Sequence, residues 1–248
     1  MIERAVILAA GLGTRLREPG VDLPKPLREV GGEPLLHRSL AAMAAVGVRD
    51  AWVVVGHRAD EVRAALAAWA AEFAAAGLAI HTIFNPAYAG GLGLSVLVAR
   101  GVVPGPFILS MSDHVYDVEV ARVAAGADMT TADLVLCVDR RLDEVYDMDD
   151  ATKVRTVDGR IVDIGKELPV FDCVDCGMFA IGDALLDALA AEQAARGDFS
   201  LSDGVRRLAA GGRARVADIG AAFWQDVDTP GARTRADAEL ARLAAERR

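Results

Sequence analysis

Residues 5–15, AVILAAGLGTR, are the stretch that decides the fold. The first six are small and apolar, which predicts a short buried strand, and glycines at 11 and 13 follow directly. Such a loop lets the backbone approach a ligand and direct several N–H groups at it, and Arg15 adds a guanidinium that fits phosphate oxygens. A lone Gly-x-Gly also occurs in ordinary turns, so at this point a phosphate-binding loop and a plain turn both remain open.

Two familiar nucleotide loops do not match this stretch. The dinucleotide fingerprint needs a third glycine at position 16, where the chain has Leu16, and the Gly-Lys-Ser/Thr of a Walker loop is absent. The loop therefore argues against a nicotinamide-dependent dehydrogenase. Further along, Pro24 and Pro26 enclose Lys25, and these stiff flanks lower the entropy that the lysine would lose on binding an anion.

Working outward, strands and helices alternate through the first half of the chain. Apolar runs at 51–55, 79–84 and 107–111 predict three more strands. Apolar residues at helical spacing predict helices near 36–47, 62–73 and 95–100. This alternation predicts right-handed βαβ units, and hence a parallel sheet with helices on both faces.

After about residue 130 the pattern changes. Strands are predicted at 134–138, 153–157, 160–164, 173–181 and 213–219, and helices near 184–195, 203–210 and from 232 onward. Asp158-Gly159 between two of these strands is typical of a tight hairpin turn. We expect one α/β domain over 1–248 with a mostly parallel sheet flanked by helices. Its β-hairpin elaboration lies in the second half.

The composition limits the class of protein. The chain has 248 residues, of which 53% are hydrophobic, so it can bury a large core without disulfides. A net charge of −9 argues against broad binding to nucleic acid. The sequence has neither a run of about 18 apolar residues nor a leader-like start, so we expect a cytoplasmic protein without a membrane span.

Three cysteines, an odd number, argue against a secreted disulfide framework. Cys173 and Cys176 form a CxxC that lacks the second pair a zinc site needs. Because residues three apart in a strand face opposite sides of a sheet, we expect both to pack in the core.

The lysines are few: of 27 Lys and Arg residues, only Lys25, Lys153 and Lys166 are lysines. In a chain so biased toward arginine, a remaining lysine is expected where a compact ammonium on a flexible stem is required. We therefore treat these three positions as candidate working residues.

The order of the motifs resembles one family. AVILAAGLGTRL at 5–16, LPKPL at 23–27 and VGGEPL at 30–35 resemble the nucleotidyltransferases that activate sugar phosphates. The resemblance implies a Rossmann-like, GT-A-like fold whose loop wraps a nucleoside triphosphate, with Arg15 and Lys25 on its phosphates. The nucleotide contacts that it implies in the loop are Leu8, Ala9, Ala10, Gly11, Gly13 and Thr14.

Two aspartates match the metal positions of that family. Asp113 follows the predicted strand at 107–111, and parallel sheets place ligands at this carboxyl edge. Asp226 stands far downstream, two residues after a tryptophan, with Asp228 as its alternative. Transfer from a triphosphate needs its charge neutralised, and hard carboxylate oxygens suit Mg²⁺. We therefore expect Mg²⁺ on Asp113 and Asp226, and we assign no role to His114.

Further strings point to the base and the acceptor. NPAYAGGLGLS at 85–95 is similar to cytidylyltransferases acting on choline phosphate and inositol phosphate, which implies base contacts at Gly90 and Ser95. MSDHVY at 111–116, and the strings at 150–155, 158–168 and 171–179, resemble inositol-1-phosphate cytidylyltransferases. The resemblance implies that Lys153 approaches the acceptor phosphate, with Lys166 as a second candidate. Asp172 and Asp175 are expected to accept hydrogen bonds from ring hydroxyls.

The sequence therefore predicts an enzyme that transfers a cytidylyl group from CTP to inositol 1-phosphate. We divide the domain into a nucleotide-binding half, 1–130, and an acceptor-binding half, 131–248. Other bases and other acceptors, such as a sugar 1-phosphate or choline phosphate, remain open, because fold-level likeness does not fix the substrate. A non-catalytic sensing module is disfavoured, since both the loop arginine and the metal aspartates are present. The oligomeric state also remains open.

Overall fold

The computed structural model describes residues 1–13, 15–16, 22–197 and 199–246. The strands are β1 Arg4–Ala9, β2 Glu29–Val30, β3 Glu33–Pro34, β4 Asp50–Val55, β5 Ala79–Phe84, β6 Phe107–Met111, β7 His114–Tyr116, β8 Leu134–Asp139, β9 Lys153–Val157, β10 Arg160–Gly165, β11 Cys173–Ile181, β12 Ala214–Asp218 and β13 Trp224–Asp226. The α-helices are α1 Leu35–Ala45, α2 Ala59–Ala75, α3 Leu92–Leu97, α4 Val118–Ala125, α5 Asp183–Arg196, α6 Leu201–Ala209 and α7 Pro230–Glu246. Short 3-10 helices lie at Lys25–Leu27 and Leu142–Glu144.

The described residues form a nine-stranded sheet in the order β5-β4-β1-β6-β11-β8-β12-β10-β9. The first four of these strands are parallel, as the βαβ pattern predicted. β11 lies antiparallel between β6 and β8, while β8 and β12 are again parallel. The sheet is therefore parallel in its first half and mixed in its second, and β11 joins residues of both halves.

The core lies on both faces of this sheet. Along β1, Ala5, Ile7 and Ala9 pack with α1, α2 and α4, whereas Val6 and Leu8 pack with α3, α5 and α6. Complete burial of one such aliphatic side chain contributes about 1.5–3 kcal/mol, so this short apolar run fixes the centre of the sheet.

The predicted cysteine packing is confirmed. Cys176 and Cys137 belong to the cluster on one face and Cys173 to the cluster on the other, and all three are buried and free. The CxxC therefore spans the sheet and does not form half of a metal site.

The hairpin of β9 and β10 turns at Asp158 and Gly159, as predicted. Their φ angles are 50° and 72°, so both central residues are left-handed, as a type I′ turn requires. The helix predicted at 95–100 is α3, which begins earlier, at Leu92, directly after Gly91. Among the residues that the structure describes, no helix is long and apolar enough to span a membrane.

Candidate active site

A small second sheet brings the two predicted metal aspartates together. β7 follows β6 almost directly and pairs antiparallel with β13, with His114 opposite Asp226. The ladder is extended on one side by a hydrogen bond from the Val227 amide to the Asp113 carbonyl, 2.9 Å. Asp113 and Asp226 are thus fixed as neighbours by backbone pairing, although they are far apart in the sequence.

The two predicted phosphate-binding cations lie beside this pair. Lys25 Nζ donates to Asp113 Oδ2 at 2.7 Å and also to Asp228. Lys25 is only 7% exposed, and Gly13 makes its position possible. A Cβ on Gly13, which has a φ of 60°, would lie 2.6 Å from the Lys25 Cβ. The second glycine of the loop therefore lets the buried lysine pack against it.

Arg15 extends this ion-pair network toward the second half of the chain. Its guanidinium donates to Asp228 and, at 2.7 Å, to Asp150 Oδ2. The other carboxylate oxygen of Asp150 accepts from Lys166 Nζ. Two of the three lysines and the loop arginine thus converge on one set of carboxylates.

Burial and neighbouring charges shift the ionisation of these groups. Burial by itself would raise the pKa of Asp113, but Lys25 and His114 hold it well below its usual range. Burial raises the pKa of Asp226 to about 6, against the opposing effect of His114. For His114, burial disfavours the charge, yet the carboxylates of Asp226 and Asp113 raise its pKa to about 9. This end of the site is therefore strongly polarised by closely spaced opposite charges.

The site opens into a cavity of about 940 Å³. Both halves of the chain line it, and its polar lining includes Arg15, Asp113, Asp150, Lys166, Asp175, Arg206, Asp226 and Asp228. This volume is in the range of pockets that hold nucleotide-sized ligands.

The carboxylates fit a divalent cation. Oδ1 of Asp226 is buried without a hydrogen-bond partner among the described residues. Ligand atoms of Asp113, His114 and Asp226 lie within 4.8 Å of one another, as do those of Asp150, Asp226 and Asp228. A buried carboxylate oxygen left unpaired is costly, and a hard cation would satisfy it. Asp226 belongs to both groups, so a divalent cation could be held by Asp226 with Asp113 or with Asp228.

The remaining loop residues Leu8, Ala9, Ala10, Gly11 and Gly13 do not belong to the described cavity lining, and neither does Lys25. Leu8 and Ala9 are buried in β1, and the Ala10 carbonyl accepts from the His57 amide at 3.0 Å. Gly11 is exposed, and no described atom beyond its chain neighbours lies within 4 Å of the place where its Cβ would be. Its backbone therefore faces open space. Thr14, also predicted to contact the nucleotide, lies outside the described residues.

The two predicted base contacts do not belong to the described cavity lining. Ser95 is buried, and its hydroxyl accepts from Asn85 Nδ2 at 2.9 Å. The Gly90 amide closes a turn to the Ala87 carbonyl at 3.0 Å. Both residues shape the loop before α3, of which Leu92 reaches the cavity.

Two of the four predicted acceptor residues also lie away from that lining. Lys153 is buried, and its Nζ donates to the Asp149 carbonyl at 3.0 Å. Asp172 accepts from Arg140 and from the Thr156 amide, 2.6 Å, which ties it to the neighbouring strand. Lys166 and Asp175, in contrast, line the cavity.

Sequence reasoning missed one carboxylate of the site, Asp150, and gave another, Asp228, a different role. Asp150 stands in an acidic run with no periodic pattern, and nothing in that run indicates its pairing with Arg15 and Lys166. Asp228 was visible as the second aspartate of Asp-Val-Asp, but only as an alternative metal ligand. In the structure it is the shared partner of Arg15 and Lys25.

A glycine-rich loop after a central parallel strand, two cations and a carboxylate pair lie together at the carboxyl edge of the sheet, which is the arrangement expected of a nucleotidyltransferase site. The chain belongs to the family of MobA-like NTP transferase domains, whose profile matches residues 5–197. This membership confirms both the predicted enzyme class and the predicted α/β fold.

Several relatives of this chain carry names that describe related reactions. A "Bifunctional IPC transferase and DIPP synthase" of Rubrobacter xylanophilus is 39% identical over 91% of this chain, and the chain spans only 49% of that relative. The solved "inositol-1-phosphate CTP transferase from T. maritima" is 25% identical, with a TM-score of 0.79 over 93% of this chain and 91% of its own. An "N-acetylmuramate alpha-1-phosphate uridylyltransferase" of Caulobacter vibrioides is 31% identical over 96% of both chains.

Proposed function

We propose that this protein transfers a cytidylyl group from CTP to inositol 1-phosphate, giving CDP-inositol and pyrophosphate. The observation that carries the proposal is the buried Lys25, held between Asp113 and Asp228 beside the unpaired Oδ1 of Asp226. The R. xylanophilus and T. maritima relatives named above support the choice of substrates.

The chemistry requires little from the protein beyond position and charge. An oxygen of the acceptor phosphate attacks the α-phosphorus of CTP in line, a new P–O bond forms, and the bond to the bridging oxygen breaks to release pyrophosphate. The attacking phosphate is already an anionic nucleophile, so no general base is needed. Catalysis then consists of alignment and electrostatic stabilisation.

Lys25 and Arg15 are proposed to bind the triphosphate. Both now donate to carboxylates, so the phosphates exchange with Asp228 and, for Arg15, with Asp150. Charge-assisted bonds to phosphate replace those to carboxylate, which keeps the cations paired throughout. Asp113 and Asp226 are proposed to hold Mg²⁺, which when bound neutralises charge on the triphosphate.

Lys166 and Asp175 are proposed to bind the acceptor. Lys166 is the lysine of the second half that lines the cavity, and exchange of Asp150 for phosphate would place an ammonium on the acceptor's anion. Asp175 lines the cavity, and its carboxylate, which accepts from the Gly177 amide at 2.6 Å, is a suitable acceptor for a ring hydroxyl. The phosphate contact first expected of Lys153 is thus proposed for Lys166.

A sugar 1-phosphate with a different nucleotide is the second candidate. The C. vibrioides relative matches this chain over nearly the whole length of both, and its printed name is that of a uridylyltransferase. We further propose that the protein acts in the cytoplasm, the location expected from its sequence.

Pyrophosphate release from a matrix of substrates tests the proposal. CTP, UTP, GTP and ATP are each combined with inositol 1-phosphate, N-acetylmuramate 1-phosphate and choline phosphate, with Mg²⁺ and with EDTA. We expect turnover with CTP and inositol 1-phosphate that EDTA abolishes. Turnover with another pair alone would overturn the substrates and retain the class, whereas no turnover with any pair would overturn the function.

A further inference from the structure

Three aromatic rings lie together on one face of the β7–β13 ladder, and one of them, His114, contacts the Asp113 carboxylate. His114 and Tyr116 are two residues apart in β7, and Trp224 stands opposite Tyr116 in β13, so all three project to the same side. The His114 ring is stacked near both others, with centroids 5.7 Å from Tyr116 and 6.0 Å from Trp224 and interplanar angles of 20° and 16°. The imidazole therefore lies nearly parallel to both larger rings and close to each.

The rings of Tyr116 and Trp224 are each held in place by a hydrogen bond. The Tyr116 hydroxyl donates to the Gly177 carbonyl at 3.0 Å. The Trp224 indole donates to Asp139 Oδ2 at 2.9 Å, and Asp139 is buried and paired with Arg141 at 2.8 Å. Because the rings of Tyr116 and Trp224 are each tied to the main sheet, the imidazole packed against them has little freedom to rotate.

Each nitrogen of His114 already has a neighbour. Nδ1 lies 2.9 Å from Asp113 Oδ1. Nε2 lies over Gly177, where a Cβ would come within 2.7 Å of it. Gly177 has a φ of 74° and lies where the pairing of β11 with β8 is interrupted, so the bulge in β11 leaves room for the ring. This placement favours support of Asp113 over direct coordination of a cation by His114.

We infer that His114 is a positioning residue: packed against Tyr116 and Trp224 and over Gly177, it orients the Asp113 carboxylate toward Asp226. The inference rests on the proposed function, because it assumes that these aspartates hold a divalent cation. Outer partners of this kind orient metal ligands, and their loss costs about 10- to 100-fold in metal affinity.

Two substitutions of His114 separate the hydrogen bond from the ring. His114→Phe retains a ring for the stack and loses the donor, whereas His114→Asn retains a donor near the position of Nδ1 and loses the ring. We expect His114→Phe to raise the Mg²⁺ concentration for half-maximal activity about 10-fold or more, with little change in the KM for the acceptor. His114→Asn should restore a large part of this loss, which a purely packing role for the ring would not allow.

Gly177→Ala disturbs the same device from the opposite side. Its methyl group collides with the imidazole, so metal affinity should fall as in His114→Phe. Gly159→Ala is the matched control, since Gly159 has a φ of 72° and no described atom within 4 Å of its Cβ position. Both variants incur the strain of a left-handed alanine, and only Gly177→Ala should weaken metal binding.

Manganese provides a readout that does not depend on turnover. Mn²⁺ binding is measured by EPR with CTP and no acceptor, and pulsed EPR reports whether a nitrogen ligates the metal. We expect wild-type protein to bind Mn²⁺ without nitrogen coupling from His114, and His114→Phe to bind it about 10-fold or more weakly. Nitrogen coupling that disappears in His114→Phe, or equal affinity of wild type and His114→Phe, would overturn the positioning role alone. If wild-type protein binds no Mn²⁺, the proposed metal site fails as well.

Discussion

The proposed nucleotide side and the proposed acceptor side of the site differ in how well linear motifs located their residues. Arg15, Lys25 and Asp113, from the first half, meet in one ion-pair network. Of the residues expected from the hairpin and β11, Lys166 and Asp175 line the cavity, while Lys153 and Asp172 are bound elsewhere.

The difference has a structural cause. A loop at the carboxyl end of a parallel strand can point only to that edge of the sheet, so its position in the sequence locates it in space. Along a hairpin, successive side chains alternate between faces, and a shift of one residue reverses the assignment. The motif in the loop after β1 was therefore a more reliable guide than the strings in the hairpin, although Gly90, in the βα loop after β5, also lies outside the described cavity lining.

The largest expected effect comes from Asp226. This residue belongs to the second half of the chain but is proposed to act on the nucleotide side, so its loss tests the division into two halves. Asp226→Asn removes one charge from the carboxylate pair, and we expect kcat to fall about a thousandfold, equivalent to about 4 kcal/mol. Asp228→Asn, which leaves that pair intact, should cost far less. Steady-state pyrophosphate release measures both, and equal losses would contradict the assignment of Asp226 over Asp228.

The variants Lys25→Arg and Lys153→Arg compare a buried lysine of the proposed nucleotide side with one first expected on the acceptor side. A planar guanidinium is larger than the ammonium that lies between Asp113 and Asp228, and the backbone of Gly13 packs closely against the Cβ of Lys25. We expect kcat/KM to fall about 100-fold for Lys25→Arg, the size of losing one preorganised donor. Lys153→Arg should change kcat/KM little. A near-wild-type rate for Lys25→Arg would remove Lys25 from the triphosphate site.

The variants Lys166→Met and Lys153→Met test which of the two lysines binds the acceptor phosphate. We expect Lys166→Met to raise the KM for the acceptor about 10-fold, since a hydrogen bond to a charged group contributes about 1.5–3 kcal/mol. Lys153→Met should leave that KM unchanged and lower only the unfolding free energy. The two KM values and urea unfolding of both variants provide the measurement; the reverse order of KM effects would return the role to Lys153.

The smallest effect concerns stability and its dependence on pH. Burial raises the pKa of Asp175 to about 6, so the folded protein holds this proton more tightly than the unfolded chain. The ionised carboxylate thus destabilises the fold fully above pH 6, and the penalty disappears as the pH falls toward the unfolded value of about 4.

We therefore expect Asp175→Asn to stabilise the protein by about 1 kcal/mol at pH 8 and by less at pH 5, because partial exposure to solvent screens the effect. The amide oxygen still accepts from Gly177. Urea unfolding of both proteins at the two pH values measures the difference. If the difference in unfolding free energy between the two proteins were the same at pH 5 and pH 8, ionisation of Asp175 would not destabilise the folded protein.

Much of the fold could be predicted from the sequence because the signals are local. The apolar run of β1, the helical spacing of α1 and α2 and the Asp158-Gly159 turn each depend on residues a few positions apart. The Gly-rich loop and the enclosed Lys25 were found in the same way. The ion pairs of Asp150 with Arg15 and Lys166 were not, because they join loops without periodicity over long stretches of chain.

By itself, the sequence determined the strands of the nine-stranded sheet, where the glycine-rich loop lies and which aspartates are candidates for a metal, but it did not predict α4, β7 or β13. Only the tertiary structure decided that β11 inserts antiparallel between β6 and β8 and that β7 pairs with β13, which brings Asp113 beside Asp226. It also decided that Lys166 and not Lys153 reaches the cavity. Local structure follows from backbone preference and hydrophobic period, whereas strand partners and the direction of each side chain depend on which long-range packing of both faces buries the core.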